Sequence, residues 1–241
     1  GLGFEWDGSP VWQSRRDERY AEVLQQFKIE GLVYPCSCSR KEVLASAPHA
    51  GEEGPIYPGT CRQGPAGSRQ QFAWRLRVDH QPIGFCDGLN GDWQQNLQHE
   101  VGDFVLFRSD GIFAYQLATV IDDHDSGVDQ VVRGADLLSS TARQIYLYRC
   151  LNRPPPQYLH LPLLLGSDGR KISKRHAEVG IVRAENASEM MQLALIFLGQ
   201  RLPPELIGAP AAKMLSWALV AFDESLLDRD DKHLTLLQEG R

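Results

Sequence analysis

The sequence has no long hydrophobic run. Nowhere in its 241 residues is there a stretch close to the ~18–20 apolar residues that are needed to span a bilayer. The first residues, GLGFEWDG, have neither the basic region nor the apolar core of a signal peptide, and they contain no initiator Met. We therefore expect a soluble, cytoplasmic protein with no membrane partner, and a sequence that is a fragment of a longer chain.

The sequence also lacks an excess of basic residues. It has 25 Lys and Arg against 31 Asp and Glu, so its composition does not suggest a surface built to neutralise phosphates. A local basic cluster such as residues 170–175 is still compatible with nucleic-acid binding. There is no internal repeat or low-complexity tract, and the 42% apolar content is typical of a globular protein. Disorder, collagen and coiled coil are thereby excluded.

Hydrophobic periodicity predicts a mixture of helices and strands. An amphipathic helix is expected over residues 15–30, with Gly31 as its left-handed cap, and a short second helix is expected after the capping-box pair Ser39 and Glu42. The other expected helices are 136–151, 188–198 and 211–222, and the expected strands are 72–78, 83–86, 103–108, 128–133 and 158–165. The apolar run 114–121 fits either a buried strand or a buried helix.

Three of the five cysteines lie close together in the sequence, at Cys36, Cys38 and Cys61. The odd count and the Cys-x-Cys spacing favour a metal site in a reducing compartment over a disulfide framework. Three thiolates suit zinc, and a structural zinc needs a fourth ligand, for which His49 and Tyr57 are both candidates. The alternative is that these cysteines are small buried hydrophobic residues, which is how we interpret the isolated Cys86 and Cys150.

Two further segments have a marked composition. Residues 46–71, rich in Pro and Gly, are expected to form a long irregular loop, which needs a functional or metal-based reason to be ordered. Residues 166–175, GSDGRKISKR, form a flexible cationic turn. Such a turn can close over a polyphosphate and stabilise the charge on a leaving group. On composition alone, an ordinary solvated basic turn is the better interpretation.

Short motifs in a characteristic order resemble those of class I aminoacyl-tRNA synthetases. The sequence KISKR at 171–175, preceded by LPLLL at 161–165, resembles the KMSKS signature of that class. Three further motifs are similar to the glutamate-binding part of the glutamyl-tRNA synthetase catalytic domain: YQLA at 115–118, IDDH at 121–124 and VRGAD at 132–136. The resemblance extends over roughly residues 1–200, and the order of the motifs makes it specific.

The cysteine cluster adds to this resemblance. CSC at 36–38 with YPGTC at 57–61 is similar to the zinc site of a shortened group of glutamyl-tRNA synthetase paralogues. The resemblance implies one structural zinc ion, and it favours Tyr57 over His49 as the fourth ligand.

The resemblance implies an α/β fold, namely a Rossmann-like class I catalytic domain, incomplete at its N-terminus, with an inserted zinc-bearing subdomain and a short helical C-terminal region. The implied segments are the remainder of the first Rossmann half at 1–31, the zinc-bearing acceptor-type subdomain at 32–102, the second half with the KMSKS-like loop at 103–185, and the helical region at 186–241. No HIGH-type motif is visible in the sequence. We therefore expect this chain alone to bind ATP weakly and to activate glutamate poorly.

The resemblance also implies a reaction. Glutamate attacks the α-phosphate of ATP, which is bound with Mg²⁺, pyrophosphate leaves, and the glutamyl group passes to the queuosine base in the anticodon of tRNA(Asp). At matching positions, Lys171 and Lys174 hold the triphosphate as pyrophosphate departs, and Ser173 shapes the loop. Tyr115 and Arg133 bind glutamate, the guanidinium pairing with a carboxylate. We expect a monomer, and we assign no role to the acidic and imidazole groups of Asp122, Asp123 and His124.

Residue types alone support these roles less strongly. From the residues alone, Tyr115 in its apolar run is better explained as a core residue, and Arg133 at a strand end is better explained as a surface residue. Two other functions also stay open. One is an ordinary glutamyl-tRNA synthetase truncated after its catalytic domain, although residues 176–241 are too few for a full anticodon-binding domain and the spacing of Tyr57 and Cys61 fits the shortened group. The other is a zinc-stabilised RNA-binding module without catalysis.

Overall fold

The fold was analysed in a computed structural model, which describes residues 2–46, 50–51, 54–65, 71–166, 168–172 and 186–233. Its helices, numbered in chain order, are α1 (Asp17–Ile29), α2 (Arg40–Ser46), α3 (Leu97–Glu100), α4 (Tyr115–Asp125), α5 (Leu138–Cys150), α6 (Ala187–Phe197) and α7 (Ala211–Ala221). Its strands are β1 (Val33–Cys36), β2 (Ala50–Gly51), β3 (Gly54–Pro55), β4 (Ala73–Leu76), β5 (Ile83–Asp87), β6 (Gly91–Gln95), β7 (Val105–Phe107), β8 (Gln130–Gly134), β9 (Gln157–Leu161), β10 (Leu164–Leu165) and β11 (Lys232–His233). Among the described residues, no helix is both long and apolar enough to cross a membrane.

A four-stranded mixed sheet has the strand order β6-β5-β9-β8. β5 and β6 form an antiparallel hairpin, whereas β9 runs parallel to both β5 and β8. Because parallel strands point towards the same edge of a sheet, the carboxyl ends of β9 and β8 lie side by side at that edge, and β5 ends slightly before them, with Asp87 opposite Tyr158. In open α/β sheets this edge is where ligands bind. The side chains at the ends of these three strands are therefore the first place to look for a functional site.

A second sheet is antiparallel, with the order β1-β4-β7. The register pairs Val33 with Leu76 and places Cys36, the last residue of β1, opposite Ala73. The chain then enters α2 through the expected capping box: the backbone N–H of Ser39 donates to Glu42, and the backbone N–H of Glu42 donates to the Ser39 hydroxyl. These local bonds fix the direction in which the chain leaves the Cys-x-Cys segment.

One hydrophobic core joins α1, the antiparallel sheet, α4 and α5. Seven of its residues have no exposed surface: Phe27, Leu76, Ile83, Leu106, Leu117, Ala142 and Leu147. The helix expected over residues 15–30 is confirmed as α1, which buries its apolar stripe in this core, and Gly31 caps it with a φ of +69°. A separate small core lies between α6 and α7, where Met191 packs with Met214. Sequence periodicity therefore located the packing face of α1, and helices were also correctly expected at the positions of α6 and α7.

Three sequence-based expectations changed or were resolved. The run 114–121 is helical and forms most of α4. Strand β6, with the sequence GDWQQ, was not predicted, because an edge strand with only Gln95 buried shows no apolar alternation. The interpretation of Cys86 as a buried residue was wrong: it is exposed on β5, since that strand belongs to a hairpin whose one face is open to solvent. Of the loop expected at 46–71, residues 47–49, 52–53 and 66–70 lie outside the described residues.

Candidate functional site

Arg133 lies near the carboxyl end of β8, directly beside His160 of β9 in the sheet register. Its Nε–H donates to Nε2 of His160 at 3.0 Å. Its Nη2 donates to the Thr141 hydroxyl at 2.8 Å and to the Leu137 carbonyl at 3.3 Å. These contacts come from β9 and from the start of α5, so two elements fix the direction of the guanidinium. A guanidinium held in this way is suited to pair with a carboxylate.

His160 is in turn bound to Asp87, the last residue of β5. Its Nδ1 lies 2.6 Å from Oδ2 of Asp87, and both side chains are completely buried. Oδ1 of Asp87 accepts from the backbone N–H and the side-chain amide of Asn90, both at 2.8 Å. Burial would raise the pKa of Asp87, but the hydrogen bonds from His160 and Asn90 outweigh it and hold the pKa below the ordinary value. Asp87 is therefore a carboxylate in the folded protein.

Sequence reasoning missed both members of this buried pair. His160 lies within the apolar strand sequence QYLHL, and Asp87 ends the strand sequence IGFCD. The available signal was one polar, chemistry-bearing residue at or near the end of each of two strands. It becomes a signal only once the two strands are known to be neighbours.

Tyr115 is the first residue of α4, and half of its surface is exposed. It lies close enough to Tyr158 of β9 to influence that residue: burial raises the pKa of Tyr158, and Tyr115 acts in the same direction. The Arg133 guanidinium carbon lies 5.4 Å from the centre of the Tyr158 ring. Tyr115 and Arg133, which sequence reasoning paired as glutamate ligands, thus both influence the electrostatic environment of Tyr158.

The cationic turn approaches the end of β8. Leu165 bridges Lys171, and the backbone N–H of Ile172 donates to the Leu164 carbonyl at 2.9 Å, so the turn begins as a tight hairpin. Nζ of Lys171 lies 2.5 Å from Oδ2 of Asp136, which follows Arg133 by three residues. Lys171 therefore lies at the strand edge that holds Arg133. The remaining predicted residues of the turn, Ser173, Lys174 and Arg175, lie outside the described residues, as does His49.

The acidic pair in the DDH segment has two different environments. Asp122 binds the Arg16 guanidinium at 2.7 Å and accepts from the Tyr20 hydroxyl at 2.8 Å, which ties the end of α4 to the start of α1. Asp123 is half-buried, and burial raises its pKa, while the charge of Arg133 opposes this shift. Asp122 thus connects two helices, whereas Asp123 lies close enough to Arg133 to feel its charge.

The sulfur atoms of three cysteines form a compact cluster on the other sheet. The Sγ atoms of Cys36, Cys38 and Cys61 all lie within 4.8 Å of one another, and none of these residues forms a disulfide. The Tyr57 hydroxyl lies 3.3 Å from Sγ of Cys36 and 3.7 Å from Sγ of Cys38. It also accepts a hydrogen bond from the backbone N–H of Cys61 at 2.9 Å. The four side chains that the sequence resemblance combines are therefore in mutual contact.

The spacing of these atoms suits a tetrahedral zinc ion. With Zn–S bonds of about 2.3 Å, neighbouring ligand atoms in a tetrahedron are separated by about 3.8 Å. The sulfur atoms of Cys38 and Cys61 are 3.5 Å apart. The Tyr57 hydroxyl lies at similar distances, 3.3 and 3.7 Å, from the sulfur atoms of Cys36 and Cys38. Burial raises the pKa of the Cys38 thiol to about 11, so ionisation of this group calls for a nearby positive charge. The cluster can hold a metal ion such as zinc.

Arg75, on β4, covers one side of the cluster. Its Nε–H donates to Sγ of Cys36 at 3.3 Å, and its guanidinium carbon lies 3.8 Å from the centre of the Tyr57 ring. Nη1 donates to the Asp103 carbonyl at 2.7 Å, which holds the side chain in place. Arg75 is therefore positioned to compensate negative charge on the sulfur of Cys36 and on the Tyr57 phenol.

A model of the family "tRNA synthetases class I (E and Q), catalytic domain" matches residues 1–201. The chain therefore belongs to this class I synthetase family. Its relatives include the glutamyl-Q tRNA(Asp) synthetase of Dechloromonas aromatica (strain RCB), with 51% identity over 90% of this chain and 72% of the relative. The glutamyl-Q tRNA(Asp) synthetases of Neisseria meningitidis serogroup C (strain 053442) and Geobacter sulfurreducens are 47% and 44% identical, over 96% and 94% of this chain and 77% and 74% of theirs.

Solved structures agree on the fold. A glutamate tRNA ligase from Elizabethkingia meningosepticum, crystallised in complex with its amino acid, superposes with a TM-score of 0.69 at 19% identity over 94% of this chain. The glutamate–tRNA synthetase of Elizabethkingia anophelis gives 0.71 at 20% identity over 97%. This chain spans about half the length of each, 52% and 55%. The predicted α/β class I catalytic fold is confirmed.

Proposed function

We propose that the protein activates glutamate with ATP and transfers the glutamyl group to the queuosine base in the anticodon of tRNA(Asp). The observation that carries this proposal is the 44–51% identity, over most of the chain, to proteins named glutamyl-Q tRNA(Asp) synthetase. The structure adds support, because Lys171 of the cationic turn and Arg133 lie at one sheet edge, the usual place for a nucleotide and its co-substrate.

The chemistry has two transfers. In the first, a carboxylate oxygen of glutamate forms a bond to the α-phosphorus of ATP, and the bond from that phosphorus to the bridging oxygen breaks, releasing pyrophosphate. In the second, a nucleophilic group of the queuosine base forms a bond to the glutamyl carbonyl carbon, AMP leaves, and the nucleophile loses its proton. Both steps depend mainly on positioning and on stabilising developing negative charge.

The roles of the chain's own residues follow from where they lie. Arg133 binds a carboxylate of glutamate. Tyr115, exposed at the start of α4, donates a hydrogen bond from its hydroxyl to the same substrate. Lys171, with Lys174 from the same turn, stabilises the phosphates as pyrophosphate departs. Before substrate binds, Asp136 holds Lys171 at the strand edge. Mg²⁺ accompanies ATP as part of the substrate.

The zinc-bearing subdomain is the second part of the proposal. Cys36, Cys38, Cys61 and Tyr57 hold one structural zinc ion, and the segment 32–102 forms the subdomain around it. The contact distances among the four side chains support this ligand set. Zinc would hold together a segment whose own core is small and consists of Tyr34, Cys36, Val43, Tyr57 and Cys61, with Cys38 packed against it.

A charging assay tests the main proposal. The protein expressed from its natural gene is incubated with labelled glutamate, ATP and Mg²⁺, and with tRNA(Asp) that contains queuosine. We expect the label on this tRNA, and none on tRNA(Glu) or on the same tRNA(Asp) without queuosine. Label on tRNA(Glu) would indicate an ordinary glutamyl-tRNA synthetase. Tight tRNA binding without glutamate-dependent ATP–pyrophosphate exchange would indicate an RNA-binding module.

A further inference from the structure

A line of two hydrogen bonds, one buried and one partly buried, joins side chains of three neighbouring parallel strands. It runs from Asp87 of β5 through His160 of β9 to Arg133 of β8. The two hydrogen bonds are 2.6 and 3.0 Å long. Asp87 and His160 have exposed fractions of 2% and 0%, and Arg133 is only partly buried. The line therefore leads from the interior towards the one member that is accessible to a ligand.

The direction of each hydrogen bond follows from the chemistry of the donors. The Nε of a guanidinium carries a hydrogen and cannot accept, so Nε2 of His160 must be the acceptor from Arg133. A neutral imidazole that accepts at Nε2 carries its hydrogen on Nδ1, and this Nδ1–H donates to Asp87. Protonation of Nε2 would place two N–H groups against each other. The neutral Nδ1–H tautomer is the form that satisfies both neighbours.

The charges around the ring are consistent with this form. Burial lowers the pKa of His160, Asp87 opposes the shift, Arg133 lowers the pKa further, and Asp136 opposes it again; the net pKa lies below its ordinary value. Asp87 is itself satisfied by Asn90, so it need not take the proton from the ring. The imidazole thus stays neutral and connects a carboxylate to a guanidinium.

The contacts also limit how Arg133 can turn. Nε is held by His160, and Nη2 by the fully buried Thr141, which fixes the plane of the guanidinium. None of these contacts uses Nη1. We propose that His160, held by Asp87, is a positioning residue that orients the Arg133 guanidinium to receive a carboxylate of glutamate. This inference rests on the glutamate-binding role proposed above for Arg133.

Two substitutions of His160 separate positioning from simple packing. In His160→Gln, the side-chain amide reaches the place of Nε2 and can accept from Arg133, but the contact with Asp87 is lost. In His160→Asn, the shorter amide lies near the place of Nδ1 and can donate to Asp87, but the contact with Arg133 is lost. Both variants remove a buried ring, so both are expected to lower the melting temperature by similar amounts.

The kinetic test is glutamate-dependent ATP–pyrophosphate exchange by the natural gene product and its two variants. We expect His160→Asn to raise the KM for glutamate about 10- to 100-fold, the scale of one lost hydrogen bond to a charged group, and to leave the KM for ATP unchanged. His160→Gln should keep the KM for glutamate within about threefold of the parent. Equal KM values for glutamate in both variants, with the parent active, would overturn the positioning role alone. An inactive parent would instead overturn the proposed function and this inference with it.

A measurement on the unsubstituted protein keeps the inference testable if the variants do not fold. ¹⁵N NMR of the histidine rings near neutral pH distinguishes the protonation states of His160. We expect a neutral ring with hydrogen on Nδ1 and none on Nε2. A neutral ring with hydrogen on Nε2, or an imidazolium, would contradict the proposed chain of donors.

Discussion

At the scale of single residues, Lys171 has the most direct chemical role in the proposed activation of glutamate. Its ammonium group is held at 2.5 Å from Asp136 and lies at the strand edge occupied by Arg133. Since catalysis in this reaction consists largely of charge stabilisation, loss of one preorganised cation should be costly. The same turn offers a matched control in Arg170, which is more exposed and lies 3.9 Å from Asp168.

We predict that Lys171→Ala reduces glutamate-dependent ATP–pyrophosphate exchange by about 10²-fold, the scale reported for removing one preorganised donor. Arg170→Ala should change the rate by less than about threefold, because its charge is solvated. Exchange rates measured at saturating ATP and glutamate test this prediction. Similar rates for both variants would show that the segment is an ordinary solvated basic turn.

Substitutions of Cys38 and Arg75 are expected to weaken zinc binding to different extents. Cys38→Ser removes a ligand and should abolish stoichiometric zinc, measured by atomic absorption. Arg75→Gln keeps the four proposed ligands but removes the compensating charge together with the hydrogen bonds to Cys36 and Asp103, so zinc affinity should fall about 10- to 100-fold, measured by competition with a chromophoric chelator. Arg77→Gln is the control, since Arg77 stacks on Tyr34 and its Nη2 donates to the Arg62 carbonyl. If Arg75→Gln and Arg77→Gln bind zinc equally well, Arg75 has no role at the metal.

At the scale of elements, two chain segments meet at a glycine. Gly102, which follows α3, has a φ of +73° and forms a β-bridge with Tyr57. A Cβ atom added at Gly102 would lie 2.3 Å from the Tyr57 carbonyl oxygen, closer than two such atoms can approach. The glycine therefore lets the loop that carries Tyr57 lie against the body of the protein.

We predict that Gly102→Ala destabilises the protein by roughly 2–4 kcal/mol, combining backbone strain with displacement of the Tyr57 segment, and weakens zinc binding. Gly111→Ala is the matched control, because Gly111 also has a positive φ, +86°, but nothing lies within 4 Å of its Cβ position. It should cost only the strain, about 1–2 kcal/mol. Denaturant unfolding of both variants gives the comparison. Equal losses of stability would show that the close approach of Tyr57 does not increase the cost of a side chain at Gly102.

The elements also show what could be predicted from the sequence. Helix α1 was predicted because its apolar spacing and its terminal Gly31 are local signals. Strand β6 was not, because its side chains are mostly exposed and its position depends on pairing with β5. The choice between helix and strand for the start of α4 depended on packing against α5 and α1, which periodicity in a short apolar run does not contain.

At the scale of the whole molecule, the proposed site requires the fold to bring together residues from separate short motifs. Tyr115, Arg133 and Lys171 are far apart in sequence, and motif order was the reason for combining them. The structure brings Lys171 to the strand end of Arg133 through Asp136. Asp87 and His160 were not predicted, because 73 residues separate them and neither belongs to a recognised motif. Contacts between distant strands are set by topology, which local sequence patterns do not encode.

The destination of the glutamyl group is the most direct test of the whole account. After reaction with glutamate and ATP, queuosine-containing tRNA(Asp) is digested to nucleosides and analysed by mass spectrometry. We predict that the queuosine nucleoside gains the mass of one glutamyl group and that the 3′-terminal adenosine is unchanged. A glutamyl group on the terminal adenosine, with queuosine unmodified, would contradict the proposed function.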